Sequence, residues 1–176
     1  PPRSERDATI IKELQLTPVY AINTHVHADH ITGTAALKAI FPQLQSVLGA
    51  SNSTAHCDLH VGDGELLRFG SRTLEARLTP GHTAGCTSFV LDDQSRVFTG
   101  DTLFIRGCGR TDFQGGSSEA LFESVHTKLF TLPKYTAVYP AHNYKGLTSS
   151  TIGEEETLNP RLTKSKPEFV QLMANL

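Results

Sequence analysis

The stretch Thr24-His25-Val26-His27-Ala28-Asp29-His30 places three imidazoles and a carboxylate within six residues, immediately after the short apolar run Val19–Asn23. Polar and ionisable groups at this density are costly to bury without a partner, and a metal ion is the partner that suits imidazole and carboxylate together. A single His-x-His pair would read as a solvated loop. Here Asp29 and His30 follow at once, and further candidate ligands stand downstream at His82, Asp101 and His142.

Working outward, Val19–Asn23 has the length of a strand, and residues 33–41 suit a helix closed by Pro42. The cluster therefore lies on a strand-to-helix loop, where α/β folds carry their chemistry. Upstream, residues 4–15 read as an amphipathic helix with Ile10, Ile11 and Leu14 on one face, stopped by Pro18. Downstream, strands are expected at Ser46–Leu48, Glu65–Phe69, Thr73–Thr79, Thr87–Leu91, Arg96–Thr99 and Ala137–Tyr139. Residues 117–130 suit a helix with Leu121, Val125 and Leu129 a turn apart. Ser165-Lys166-Pro167-Glu168 is a capping box that opens a helix running to the end of the chain. Four of the strands end in a loop with a candidate ligand: His25 to His30, His82, Asp101 and His142. Strand ends of one sheet share an edge, so the four loops are expected to converge along it.

At 176 residues the chain is long enough for one domain with a real core, taken as residues 1–176. A hydrophobic content of 38%, a charged content of 19% and the absence of low-complexity tracts mark a globular protein. The formal net charge is −2 and the 16 basic residues form no dense block, which argues against nucleic-acid partners. No apolar run approaches the roughly 20 residues of a membrane helix, so no membrane partner is expected. Cys57, Cys86 and Cys108 are odd in number and lack C-x-x-C spacing, which favours free thiols in a reducing compartment. The chain opens on Pro1 without a signal or transit pattern, and a processed or trimmed protein would look the same.

Taken together, Thr-His-x-His-Ala-Asp-His at 24–30, Thr-Pro-Gly-His-Thr-Ala-Gly at 79–85, Phe-Thr-Gly-Asp at 98–101 and Tyr-Pro-Ala-His at 139–142 resemble the metallo-β-lactamase superfamily. The run from Gly100 to Gly116, with Gly107-Cys108-Gly109-Arg110-Thr111-Asp112-Phe113-Gln114, and Ala141-His142-Asn143-Tyr144-Lys145-Gly146 resemble its persulfide dioxygenase group. The related glyoxalase II enzymes share Gly-Cys-Gly-Arg but usually continue with an aromatic pair and Glu-Gly-Thr. The resemblance covers about residues 18–166 and implies an αββα sandwich, α/β in class, with metal at one edge of two packed sheets. Members of the family normally begin with further strands and extend past the terminal helix, so this domain is expected to be partial, truncated at both ends.

The resemblance further implies one ferrous iron per chain, held by His25, His82 and Asp101 as the catalytic and metal-binding residues. That arrangement leaves coordination positions for a persulfide and dioxygen. His27, Asp29, His30 and His142, direct ligands in the dinuclear hydrolases, would here hold ligands and waters in place. The expected substrates are glutathione persulfide and dioxygen, and the products sulfite and glutathione. Arg110 would anchor a glutathione carboxylate through its fork, its plainer reading being a surface ion pair. Arg161 and Tyr144 are candidates for the same cleft. Cys108 either approaches the iron or is a buried thiol with no direct role. Gly81, Gly100, Gly107 and Gly109 would serve tight loops, and His56, His60 and His126 read as ordinary structural or surface histidines. The competing assignment is a glyoxalase II-type hydrolase of S-lactoylglutathione with two zinc ions. Location would follow the source, the mitochondrial matrix in a eukaryote and the cytoplasm in a bacterium. A homodimer is the candidate assembly.

Overall fold

The computed structural model describes residues 2–26, 31–52, 54–144 and 146–176. Two sheets organise them. The first holds three parallel strands in the order β1 (Tyr20–Ile22), β2 (Gln45–Gly49) and β3 (Leu59–Val61). The second holds six, in sequence order: β4 (Leu66–Phe69), β5 (Arg72–Leu78), β6 (Thr87–Leu91), β7 (Arg96–Gly100), β8 (Ala137–Pro140) and β9 (Ser150–Thr151). All its neighbours are antiparallel except β7 and β8, so β5, β7 and β8 run the same way.

The period of two along each strand explains how the second sheet is covered on both faces. On β6, Phe89 points to the first sheet and joins Val47, Val61, Leu67 and Ala76 in the inter-sheet core. Its neighbour Val90 points the other way, into a larger core with Val97, Val138 and side chains from three helical segments. These are α3 (Ser118–Ser124), which continues into one π-helical turn (Val125–Leu129), α4 (Ile152–Leu158) and α5 (Lys166–Met173). Leu121, Val125, Leu129, Ile152 and Phe169 are all fully buried there. The capping box is present, with the Ser165 N–H donating to Glu168 at 3.0 Å. The helix it opens stops at Met173, short of the chain end.

Three expectations need correction. The helix α1 (Pro2–Glu13) forms, but Ile10 and Leu14 are exposed at 44% and 62%, and the side chains it buries are Ser4 and Ala8. The second helix, α2 (Thr34–Ile40), is as expected. The four ligand loops do not belong to one sheet. β1 pairs with β2 in the three-stranded sheet, whereas β5, β7 and β8 lie in the other. The convergence is therefore made at the seam between sheets, where the Thr87 N–H donates to the Thr24 carbonyl at 2.8 Å. Gly100 stands at φ +54°, and a Cβ there would lie 2.5 Å from Thr24 Oγ1, so glycine lets the two sheets meet. Finally, β3, β9 and α4 formed where no element was expected.

His126 sits in the π turn, stacked on Phe122 at 4.0 Å between ring centroids, with Nε2 donating to the Leu162 carbonyl at 3.1 Å. It is the structural histidine expected. Burial pushes its pKa below the usual 6.5, outweighing the carbonyl bond and the charges of Glu123 and Glu156. The unfolded chain thus takes up this proton more readily than the folded one. The contribution is complete above about pH 6.5 and is lost as pH falls from there through the folded pKa. We expect urea midpoints to fall over that window, and the His126→Phe variant to show a smaller fall. Equal slopes for the two proteins would discard the assignment.

Candidate metal centre

Three parallel strand ends and one strand from the other sheet build the site. β5 runs into Pro80-Gly81-His82, β7 into Gly100-Asp101, β8 into Ala141-His142, and β1 into Thr24-His25. One ligand atom from each of His25, His82 and Asp101 lies within 4.8 Å of the others. His82 and Asp101 are buried, at 3% and 5% exposure.

Hydrogen bonds assign the roles of the ring nitrogens. His82 Nδ1 is 2.7 Å from the Arg110 carbonyl, which can only accept, so Nδ1 carries the proton. Its Nε2 then faces Asp101 Oδ2 at 3.5 Å. His25 meets His82 edge-on, with ring centroids 5.0 Å apart, and its Nδ1 is 3.0 Å from Thr24 Oγ1. The other oxygen of Asp101 accepts from His142 Nδ1 at 2.8 Å. A nitrogen lone pair and a carboxylate oxygen facing each other repel unless a proton or a cation stands between them. Two imidazoles and one carboxylate suit a divalent metal ion, with His142 orienting the carboxylate from behind. His27, Asp29 and His30 lie outside the described residues.

Arg110, Tyr144 and Arg161 line one cavity of about 580 Å³ that reaches His82, Asp101 and His142. Tyr144 stacks on His142, ring planes 6° apart and centroids at 5.6 Å. Arg161 Nη1 donates to the Cys108 carbonyl at 3.2 Å. The fork of Arg110 is already engaged by Asp112, at 2.7 and 2.8 Å, so the surface ion pair does form. Both groups are exposed, and that pair holds the Asp112 carboxyl down at about 2. Cys108 is the buried thiol of the two readings. Burial pushes its pKa up to about 11, and its sulfur lies 3.9 Å from Met173 Sδ. All three cysteines are free. His60 bonds the Asn52 carbonyl through Nε2 at 3.2 Å, away from the centre.

One group of residues went unread in the sequence. Glu155, fully buried on α4, accepts from the Arg106 N–H at 2.8 Å, from Arg106 Nη1 at 3.1 Å and from Asn159 Nδ2 at 2.8 Å. Asn159 also donates to the Gly107 carbonyl at 3.1 Å. The three consecutive glutamates Glu154 to Glu156 resemble a solvated helix face, which hid the one that is not.

Two histidines and a carboxylate gathered where a mixed sheet meets a second sheet form a group that could hold a metal ion. The metallo-beta-lactamase superfamily model matches residues 45–142. Within that superfamily the chain belongs to the persulfide dioxygenase family. It is 58% identical over 173 residues to the mitochondrial persulfide dioxygenase ETHE1 of Mus musculus, covering 98% of this chain and 68% of that protein. A solved structure of ETHE1 from Myxococcus xanthus matches with a TM-score of 0.91 and 44% identity, over 97% of this chain and 75% of that one. By contrast, the hydroxyacylglutathione hydrolase of Brucella anthropi is 37% identical over 158 residues, 88% of this chain and 59% of that protein. The chain spans about two thirds of the length of the ETHE1 relatives. Among the described residues no helix is long and apolar enough to cross a membrane.

Proposed function

We propose that the protein oxidises glutathione persulfide with dioxygen and water, giving sulfite and glutathione, at one ferrous ion held by His25, His82 and Asp101. The observation that carries this reading is the split of donors around Asp101. His82 faces one carboxylate oxygen at 3.5 Å, while His142 is spent as a donor to the other at 2.8 Å. This division agrees with a single ion held by His25, His82 and Asp101, with His142 as a hydrogen-bonding neighbour of the carboxylate. Ferrous iron in such a setting keeps positions open for reactants and supplies the redox chemistry that dioxygen needs.

The chain's own residues orient and bind. The Arg110 carbonyl fixes the His82 tautomer, and His142 fixes the carboxylate. Glutathione carries two carboxylates, and the guanidinium groups of Arg110 and Arg161 on the cavity wall suit them, with Tyr144 above His142 at its mouth. A substrate carboxylate has to take the Arg110 fork from Asp112. Arg110→Lys is therefore expected to raise KM with little change in kcat, since lysine keeps the charge but not the fork. Asp112→Asn should lower KM, by about fivefold at most because exposed pairs are weak. An unchanged KM in both variants would remove Arg110 from the binding site. The relatives' mitochondrial names support a mitochondrial location for a eukaryotic source.

The decisive experiment compares metals. The ferrous protein should consume dioxygen when given glutathione persulfide, stop under nitrogen, and lose activity on zinc substitution, because zinc offers no redox chemistry. Two zinc ions per chain with brisk hydrolysis of S-lactoylglutathione in the absence of air would replace this reading with the hydrolase.

A further inference from the structure

We propose that Glu155, remote from the reacting atoms, is a positioning residue for the metal centre. It acts through the loop from Asp101 to Arg110, and the proposal rests on the metal-site reading given above.

That loop leaves the centre at Asp101, travels to α4, and returns to deliver the Arg110 carbonyl that orients His82 at 2.7 Å. Two of the three candidate ligands are therefore set by the same ten residues. At its far end Phe104 and Gly107 exchange backbone bonds of 2.9 and 3.3 Å, and Arg106 is held at φ +58°, a left-handed conformation uncommon for a branched-chain or long side chain. Something must hold a turn of that kind. The grip comes from α4 and the turn after it: Glu155 on the Arg106 N–H, Asn159 on the Gly107 carbonyl, and Arg161 on the Cys108 carbonyl.

Glu155 is the centre of the grip. Both its oxygens are used, one by the Arg106 N–H and Asn159 Nδ2, the other by Arg106 Nη1. A fully buried carboxylate is an expensive way to gain stability, and apolar replacements of buried ion pairs are often neutral. What it offers instead is directional control: it holds the Arg106 N–H itself and orients Asn159, which holds the Gly107 carbonyl.

The loop has no slack with which to absorb a shift. The Gly109 N–H donates to the Asp101 carbonyl at 2.9 Å. A Cβ on Gly109 would lie 2.5 Å from that carbonyl oxygen and 2.9 Å from His82 Nδ1. Movement of a few tenths of an ångström at residues 106–108 is therefore passed to the ligands on either side.

The test uses cobalt(II), whose visible absorption reports coordination geometry, bound to wild type, Glu155→Gln and Leu129→Ala well below their melting temperatures. Leu129 is fully buried in the helical core and makes none of the hydrogen bonds of the grip described above, so it reports plain destabilisation. Glu155→Gln should bind cobalt about 10–100-fold more weakly and show an altered visible spectrum, in the range of losses found when groups behind metal ligands are removed. Leu129→Ala should melt earlier yet keep the wild-type affinity and spectrum. If Glu155→Gln does not fold, Arg106→Lys keeps the backbone bond to Glu155 and loses the guanidinium contacts, and it should show the same change in milder form. Wild-type affinity and spectrum in the Glu155→Gln protein would overturn the proposal. Failure of wild type itself to bind cobalt would instead overturn the metal-site reading on which it stands.

Discussion

The Asp101→Ala protein is expected to fold and to hold no metal. Among the three proposed ligands, His25, His82 and Asp101, the carboxylate of Asp101 supplies the negative charge, and its two oxygens serve different partners, His82 across the site and His142 behind it. A site with three protein ligands has no spare, so His25→Ala and His82→Ala should lose the ion as well. The loss can be read without any activity measurement. A ligand present at 100 times its Kd stabilises the folded state by about 2.7 kcal/mol. Wild type should therefore gain several degrees in melting temperature on addition of ferrous or cobalt ion, and the three alanine variants should gain nothing. His142→Ala should behave differently, retaining the ion with affinity or turnover lowered about 10–100-fold, since it would lose orientation of the carboxylate but no ligand. If His142→Ala strips the metal while His25→Ala keeps it, the three-ligand assignment fails. An Asp101→Ala protein with the full metal-dependent shift would defeat it from the other side.

What the sequence shows clearly is chemistry attached to local pattern. β6 spans Thr87–Leu91 as expected from its apolar run between two loops, and each candidate ligand follows a strand because turn residues such as Pro80-Gly81 mark the strand end. Sheet membership is not local. Nothing around Tyr20–Ile22 records that its partner is Gln45–Val47 and not a strand of the larger sheet, because the pairing is made between residues about 25 apart in the chain. Short elements held by tertiary contacts are equally hidden. Leu59–Val61 has three residues and exists as a strand through its parallel pairing with β2. Charge patterns mislead in both directions. Glu155 sits in an acidic run yet is fully buried, while Arg110, a candidate anchor for a substrate carboxylate, has its fork taken by Asp112. The apolar face Ile10, Ile11 and Leu14 follows the helical period, but Ile10 and Leu14 are exposed, and α1 turns Ser4 and Ala8 inward.

Gly81→Ala is expected to be the most damaging single methyl group in the protein. Gly81 lies between the end of β5 and His82, at φ +149°, where side chains are strained. The added Cβ would also overlap the backbone and Cβ of Leu121, a fully buried residue of α3. The turn cannot swing away, because the Ser117 N–H donates to the Gly81 carbonyl at 2.8 Å and Ser124 Oγ donates to the Pro80 carbonyl at 2.7 Å. Backbone strain costs about 1–3 kcal/mol and forced overpacking about as much again, so the total is about 2–6 kcal/mol. Against a typical stability of about 5–15 kcal/mol this endangers the fold. At about 2–4 °C per kcal/mol for a chain of this size, the melting temperature should fall by about 4–24 °C. Whatever relaxation occurs displaces the adjacent His82, so metal affinity should fall with it. Gly64→Ala separates the two contributions: it too has a positive φ, +78°, but a Cβ there meets nothing within 4 Å. It should show the strain alone and leave metal binding untouched. Equal losses in the two variants would mean that the Leu121 contact contributes nothing, and that the close packing of the His82 turn against α3 is not what holds this side of the metal centre.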